Sequence, residues 1–445
     1  MVLLMTLALA LPARAAATGT AVLTLADAIT AAGTDAYAVR LAVNQVDSAR
    51  SREQETFAGL LPRLGLNGTY GQQFPSSTAN PLAPVQAGEI NQLAGGTSVT
   101  SLQTGLQITQ LLYDGGRVFD GWRMASLQAE LAASAARQAR ADASVACVGA
   151  YFSALRARAA TTVARQAVTF NQELKRQAEQ FVAAGIGIMV DVHRAESQLQ
   201  QAEQDLDAAE VAVRQADMEL NTALGRDVSL PVALDAAAQV TPLPLSASDA
   251  VATALSQRFD LQQLRQRLQA DELAWAIQTR NYWPSLSLYS NLQAHDSAVI
   301  AAQFFNQQNA SVGASLSWPL FDGFEGAARA RQAELTVRQD RLSIAQSELL
   351  VAKEVRQAHL DVALAERRIQ RLTDAAAAAG KALDLARWRY REHVGTSWEL
   401  REAQLGWQQA RLALVQAQAD LQTQRARLYR ALGRERPDVQ SAPPP

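Results

Sequence analysis

The side chains that could carry chemistry are few and scattered. Four histidines, His193, His295, His359 and His393, stand far apart, and neither an H-E-x-x-H pair nor a phosphate-cradling Walker loop occurs. No Cys/His pair has ligand spacing, so no catalytic site, metal site or cofactor is expected, and surface histidines are the default reading. A lone Cys147, set in the helical run Asp142-Ala-Ser-Val-Ala-Cys-Val, excludes a disulfide framework and reads as a small buried hydrophobe. Thr396-x-x-Glu399 is a capping box, and Glu399 and Glu402 both sit in the first turn of the helix it opens, where the dipole favours negative charge. Asp191 stands at the start of a helical run, where a negative charge favours the helix dipole.

The 445 residues carry 41 basic and 43 acidic side chains and a formal charge of -2. Without a Lys/Arg-rich run, that balance argues against nucleic acid as a partner. Residues 1–15 form an apolar stretch ending in Ala13-Arg14-Ala15, which fits a secretory signal peptide and a mature start near Ala16. No Lys or Arg precedes the stretch, which leaves room for a start upstream of Met1, and no cysteine follows it to accept a lipid anchor. Beyond it no run of about 18 apolar residues predicts a transmembrane helix.

The elements that position these groups come in two copies. Thr24-Leu-Ala-Asp27-Ala28 matches Ser246-Ala-Ser-Asp249-Ala250, and Leu61-Pro62 matches Trp283-Pro284, at an offset of 222 residues. Tyr113-Asp114-Gly115-Gly116 then matches Phe321-Asp322-Gly323-Phe324, and Ala223-Leu224-Gly225-Arg226 matches Ala431-Leu432-Gly433-Arg434, at an offset of 208. The lost length falls most naturally in the Pro/Ser/Gly-rich stretch from Phe74 to Ser98, a predicted loop. The repeats therefore span residues 24–226 and 246–434, and residues 435–445 read as a disordered tail.

Each repeat opens with a capped helix that a proline ends. Strand pairs with period two follow, at about 62–112 and about 284–320, with Leu64, Leu66, Tyr70 and Leu286, Leu288, Leu292 alternating with Gly, Ser, Thr and Gln. Asp114 and Asp322 then cap long helices reaching about 183 and about 391. The first is about 70 residues, or roughly 105 Å at 1.5 Å per residue. Breaks at Ala184-Gly185-Ile-Gly187 and His393-Val-Gly395-Thr396 precede returning helices at about 188–225 and about 397–432. Large residues and alanine alternate in their heptads, from Val192 to Ala223 and from Leu400 to Ala431, interrupted only by Gln424.

Four strands cannot close a membrane barrel, and open edges are forbidden in hydrocarbon, so several chains must contribute; a cyclic trimer would supply twelve. Trp283 starts one strand and Trp318 and Phe321 end its partner, one edge of the sheet in each case. Two readings of them stand together: an interfacial aromatic belt and a plug between sheet and helices.

The sequence resembles the TolC family of outer-membrane efflux and secretion channels. The resemblance covers nearly the whole mature chain, through the duplicated halves, the Pro-x-Leu-x-Leu strand starts, the junctions Gln110-Leu-Leu-Tyr113-Asp114-Gly-Gly and Trp318-Pro-Leu-Phe321-Asp322-Gly, and the Ala-Gly-Ile-Gly and Val-Gly-Thr breaks. It implies a mainly α fold with a small transmembrane β part: a homotrimer whose 12-stranded barrel continues as a 12-helix periplasmic tunnel. It further implies a passive outer-membrane conduit for efflux or type I secretion, with outer-membrane lipid, a periplasmic adaptor protein and an inner-membrane transporter as partners. By ungapped alignment the family's acidic gate ring falls on Glu399 and Glu402, and its closed-state contacts on Asp191 and Tyr390. Gly185, Gly187, His393 and Gly395 mark the tip breaks where the adaptor docks, and Tyr113 joins Trp283, Trp318 and Phe321 at the membrane interface. The family arginine five residues beyond the tyrosine is Gly395 here, and His393 replaces a glycine, so the chain departs from the familiar latch. A rival from another class, a periplasmic coiled-coil adaptor or scaffold without a barrel, accounts for the helices but usually carries one helical hairpin rather than two.

Overall fold

The computed structural model describes residues 22–73, 99–298, 308–392 and 394–440. The leader at 1–15, the loop within 74–98, His393 and the end of the tail at 441–445 lie outside the described residues. In the first repeat the elements run α1 (Leu25–Asp35), α2 (Tyr37–Phe57), a 3-10 turn (Ala58–Leu60), β1 (Arg63–Gln73), β2 (Val99–Tyr113), α3 (Arg117–Ala183) and α4 (Met189–Ala223). After β3 (Gln239–Val240) the second repeat follows as α5 (Ala247–Gln257), α6 (Phe259–Thr279), β4 (Ser285–Ala298), β5 (Gln308–Ser317), α7 (Glu325–Arg391), α8 (Ser397–Ala431) and β6 (Val439–Gln440). No described helix is long and apolar enough to cross a membrane. Two compact units result, one of Met1–Ala42, Ala136–Phe259 and Glu348–Pro445, the other of Val43–Ala135 and Asp260–Ser347.

The second unit holds the sheet. Its four strands are antiparallel in the order β1-β2-β4-β5, which leaves β1 and β5 as open edges. Register sorts the side chains into two faces. Leu64, Ile108, Ser290 and Val312 form one cross-strand row, and Leu66, Leu106, Leu292 and Ala310 the next. The opposite face carries Gly65, Asn67, Gln107, Thr109, Ser287, Asn291, Ser311 and Ser315. Leu66 and Val312 are 79% and 75% exposed, and Leu64, Tyr70, Leu316 and Leu320 are exposed with them. At 1.5–3 kcal/mol per buried side chain, covering these six would contribute on the order of 10 kcal/mol per chain. A patch of that kind marks a contact surface.

Gln110, like Ser290, is a polar residue on the apolar face. Its Nε2 donates to the Leu60 and Leu111 carbonyls at 3.0 and 2.9 Å, which takes its amide out of the row. A bulge between Leu111 and Tyr113 sets Tyr113 opposite Leu286, so that the ring joins the apolar face. On the other face Tyr289 lies flat across Gly313, where an added Cβ would stand 2.6 Å from its hydroxyl. Glycine makes room for that ring.

From strand to long helix the chain makes one turn twice. Asp114 accepts from Gly116 N at 3.0 Å and Val118 N at 2.7 Å, and Asp322 accepts from Gly326 N at 2.7 Å, so each aspartate caps its helix. Gly115, Gly116, Gly323 and Phe324 all have positive φ.

The first unit holds the main core, in which Leu25, Ile29, Cys147, Val148, Tyr151, Leu220, Leu224, Val240 and Tyr429 are buried together. Tyr151 donates to the carbonyls of Asp235 at 2.8 Å and Leu23 at 3.1 Å. Burial pushes the Cys147 thiol up to about 12, as befits an inert packing residue. Seam residues of the returning helices are buried, among them Val192, Ala202 and Leu220 on α4 and Leu400, Leu414 and Leu421 on α8.

Two expectations change. The opening helix of each repeat is broken, at Ala36 and at Arg258, although neither break contains Gly or Pro. The glycine ending each returning helix sits against it: a Cβ on Gly433 would meet the Gln257 carbonyl oxygen at 2.6 Å, and one on Gly225 would meet that of Asp35. Tertiary packing overrides local propensity there. The tail after Gly433, expected to be disordered, is ordered through Gln440. Its β6 pairs with β3, and Asp438 lies 3.3 Å from both the Tyr429 hydroxyl and Arg434.

Candidate functional site

Two regions gather the residues singled out by sequence. One is the pair of turns that end α3 and α7. At the first, Ile186 N and Gly187 N both donate to the Phe181 carbonyl, at 3.0 and 2.9 Å; at the second, Val394 N and Gly395 N both donate to the Arg389 carbonyl, at 3.0 Å each. These bonds satisfy the last helical carbonyls and reverse the chain. A Cβ on Gly187 would stand 2.8 Å from Val182 N, and one on Gly395 would stand 2.9 Å from Arg389 Cβ, so neither position has space for a side chain. Gly185 adopts φ +76, a conformation glycine takes without strain.

Below the turns Phe170, Leu174, Ala195, Leu383, Tyr390 and Leu400 pack into one cluster, and the Phe181 ring tilts against Tyr390 at 5.7 Å. Tyr390 is thus a core residue with its hydroxyl near Asp191. Burial first, and the Asp191 charge second, push that hydroxyl above the ordinary tyrosine range. Asp191 accepts from Ser397 Oγ at 3.4 Å and stands 3.7 Å from Arg194. A cavity of about 200 Å³ separates the two helix starts, lined by Asp191, Arg194, Tyr390, Ser397, Trp398 and Arg401.

Glu399 and Glu402 occupy the first turn of α8, but their surroundings differ. Glu399 N donates to Thr396 Oγ1 at 3.2 Å, the capping bond expected from sequence. Its carboxylate faces Arg389 at 3.6 Å, with both side chains about half exposed. Such a pair is worth at most about 1 kcal/mol. Glu402 is exposed and has no ion pair among the described residues.

The other region is the sheet edge where strands meet helices. Tyr113 ends β2, Trp283 precedes β4 and Trp318 follows β5, and register puts all three at the same end. Trp318 donates its Nε1–H to the Tyr282 carbonyl at 3.0 Å. Trp283 both faces outward, half exposed, and covers Gly115, whose added Cβ would stand 2.9 Å from Trp283 Cβ. Phe321 is exposed. Beside Trp283, Arg280 pairs with Asp120, which is 5% exposed, and lies 3.3 Å from the Gly115 carbonyl.

Three neighbours escaped the sequence reading: Arg389, Ser397 and Arg280. Each meets its acidic partner through the tertiary fold, across a turn or between helices. Only the position of Arg389, one residue before Tyr390, offered a local signal.

A family model described as outer membrane efflux protein matches residues 29–226 and 250–434, one segment in each repeat. The outer membrane efflux protein BepC of Brucella suis biovar 1 (strain 1330) is 24% identical over 355 residues, covering 79% of this chain and 77% of that one. The crystal structure of the Campylobacter jejuni CmeC outer membrane channel superposes with a TM-score of 0.76 at 15% identity, over 92% of this chain and 85% of that one. The open state of the Neisseria gonorrhoeae MtrE outer membrane channel gives 0.74 at 21% identity, over 92% and 89%.

Proposed function

Because this chain belongs to the outer membrane efflux protein family and is an outer-membrane efflux channel rather than an enzyme, we propose how it assembles and gates. Three copies join β5 of one to β1 of the next and close a 12-stranded barrel in the outer membrane, continued by a 12-helix periplasmic tunnel. The observation that carries this reading is the two-edged sheet with one apolar and one polar face. Unpaired backbone groups are not tolerated in hydrocarbon, and closure across copies satisfies both edges while turning Leu66 and Val312 to lipid. The scaffold alternative is not favoured, since it leaves that apolar face without an occupant.

Transport through the conduit is passive. An inner-membrane transporter supplies the energy, and a periplasmic adaptor engages the turns at Gly185, Gly187, His393 and Gly395; efflux pumps and type I secretion systems share this arrangement. Glu399 and Glu402 line the constriction at the periplasmic tip, where six carboxylates from three copies bind cations. Asp191 and Tyr390 hold the closed state. The position of the family arginine is Gly395, where no side chain fits, and Arg389 provides the cation instead by bridging α7 to Glu399.

Single-channel recording in planar bilayers tests both parts. The purified trimer is expected to conduct, with divalent cations blocking from the periplasmic side. Glu399→Ala/Glu402→Ala should weaken that block, and unchanged block would remove the two glutamates from the constriction. A protein that stays monomeric and never conducts would overturn the barrel.

A further inference from the structure

Gln404 on α8 is 4% exposed, and its Oε1 accepts no hydrogen bond among the described residues. A buried carbonyl without a donor is rare and asks for a reason. The first repeat supplies the contrast. At the offset of 208, Leu383 and Gln404 match Lys175 and Glu196, which satisfy each other: Lys175 Nζ donates to Glu196 at 3.0 Å. The second copy has the acceptor without the donor. Nor does Gln404 belong with the acidic first turn. Two residues beyond Glu402, at about 100° each, carry it to the far side of the helix, and it is buried where Glu402 is exposed.

Gln404 lines a cavity of about 570 Å³ between α3, α7 and α8, within the first compact unit. That volume suits a small organic molecule. Phe170 and Leu383, both buried, and the half-buried Trp407 give it an apolar wall. Its rim is charged, but the two signs differ in what they already hold. Arg165 pairs with Glu210 at 2.9 Å, and the Arg387 guanidinium lies over the Phe170 ring at 5.0 Å. Glu173 on α3 and Asp384 on α7 are exposed on the same rim and have no ion pair among the described residues. The cavity therefore offers two carboxylates and one buried carbonyl, all acceptors, beside aromatic rings.

We propose that this cavity binds an amphiphilic organic cation, an aromatic body bearing an amidinium or ammonium whose N–H donates to Gln404 Oε1. The body lies against Phe170, Leu383 and Trp407, and aromatic faces attract its charge as well. Glu173 and Asp384 add the opposite charge from two different helices. An anion is disfavoured, because both arginines have partners and the buried carbonyl would meet a second acceptor. The occupant touches α3, α7 and α8 of a single copy, so the site stands apart from how the sheet closes into a barrel.

Equilibrium dialysis of the purified full-length protein in detergent tests it, with protein-free micelles as the blank. The probes are diamidinophenylindole, a flat aromatic bis-amidinium, and tetraphenylphosphonium, an aromatic cation with no N–H. The amidinium should bind at one site per chain and about tenfold or more tighter than the phosphonium, the worth of a hydrogen bond to a charged donor. Gln404→Met should weaken the amidinium by about tenfold and leave the phosphonium unchanged. Glu173→Gln/Asp384→Asn, at exposed positions, should weaken both probes. No amidinium binding above the blank would overturn the site. So would binding that neither variant changes, which would place the probe elsewhere, and so would equal affinity for the two probes, which would leave the carbonyl without a role. Should Gln404→Met not assemble, the exposed double variant and the comparison of probes decide.

Discussion

Asp114-Gly115-Gly116 and Asp322-Gly323-Phe324 make the same strand-to-helix turn in two settings. In the first, two glycines lie beneath Trp283 and Arg280, and Asp120 is buried beside them. In the second, nothing stands within 4 Å of a Cβ on Gly323, and a phenylalanine points outward. The difference teaches that duplication preserved a backbone while its two copies took different duties. One copy seals the joint between sheet and helices, and the other offers surface.

The largest test transplants the second turn into the first. A Cβ on Gly116 would stand 3.1 Å from Arg280 Nη1, so Gly116→Phe pushes the guanidinium away from Asp120. Asp120 then keeps only the more exposed Arg123, 3.7 Å away, and weakening the pair of a buried carboxylate costs up to about 3 kcal/mol. Gly323→Ala meets only the backbone penalty of its positive φ, about 1 kcal/mol. Thermal unfolding in detergent should rank the two variants widely apart; equal losses would break the comparison.

The turns at the ends of α3 and α7 are alike where the strand-to-helix turns differ, which makes them a second case. Restoring the family residue by Gly395→Arg forces a Cβ to within 2.9 Å of Arg389 Cβ. Overpacking of this kind costs about 1–3 kcal/mol, and it should separate Arg389 from Glu399 rather than add a latch. Faster amide exchange across residues 389–399 is the expected readout, and Gly187→Ala should do the same at the other turn. Slower exchange at 395 would show that the arginine fits.

How much of this was legible in the sequence varies by cause. Period-two leucines, the Asp caps and the alternating Leu/Ala seams are local, so the strand pairs, the long helices and their returns could be read directly. The breaks at Ala36 and Arg258 could not, because the glycines packed against them come from the far ends of the returning helices. Nor could the pairing of Gln239–Val240 with Val439–Gln440, which joins segments about 200 residues apart in a two-residue ladder too short for any pattern. At the candidate gate the capping role of Glu399 was visible, whereas its partner Arg389 needed the turn. Phe324 lay in plain sight as the mismatch in an otherwise repeated motif, yet only its φ shows what that mismatch means.

A smaller difference between the copies is electrostatic. Asp340 on α7 is 7% exposed, where the matching residue of the first repeat is Ala132. Burial first, then the Asp271 carboxyl, push its pKa up to about 6, while Arg267, 3.7 Å away, pulls the other way. Folded protein therefore holds a proton that the unfolded chain releases near the ordinary carboxylate value. The stability so gained is full at acid pH and is lost as pH rises through about 6. Between about pH 4 and about pH 6 the loss should be on the order of 2 kcal/mol, with little further change at higher pH. Asp340→Asn should flatten that part of the profile relative to the unaltered protein; a parallel profile would remove Asp340 as its source.

The smallest expected effect reverses the first test. Phe324→Gly gives the second turn the residue of the first and relieves a left-handed backbone worth about 1–2 kcal/mol. Against that stand the lost edge-on pair with Phe321, about 0.5–1.5 kcal/mol, and the larger unfolded-state entropy of glycine, about 0.5–1 kcal/mol. The terms nearly cancel, so unfolding in detergent should move by less than about 1 kcal/mol. A large stabilisation would mean that the strain is heavier than the ring pair can offset. A large loss would mean that the ring is packed in the assembled protein, and the contrast between a sealing turn and a surface turn would then disappear.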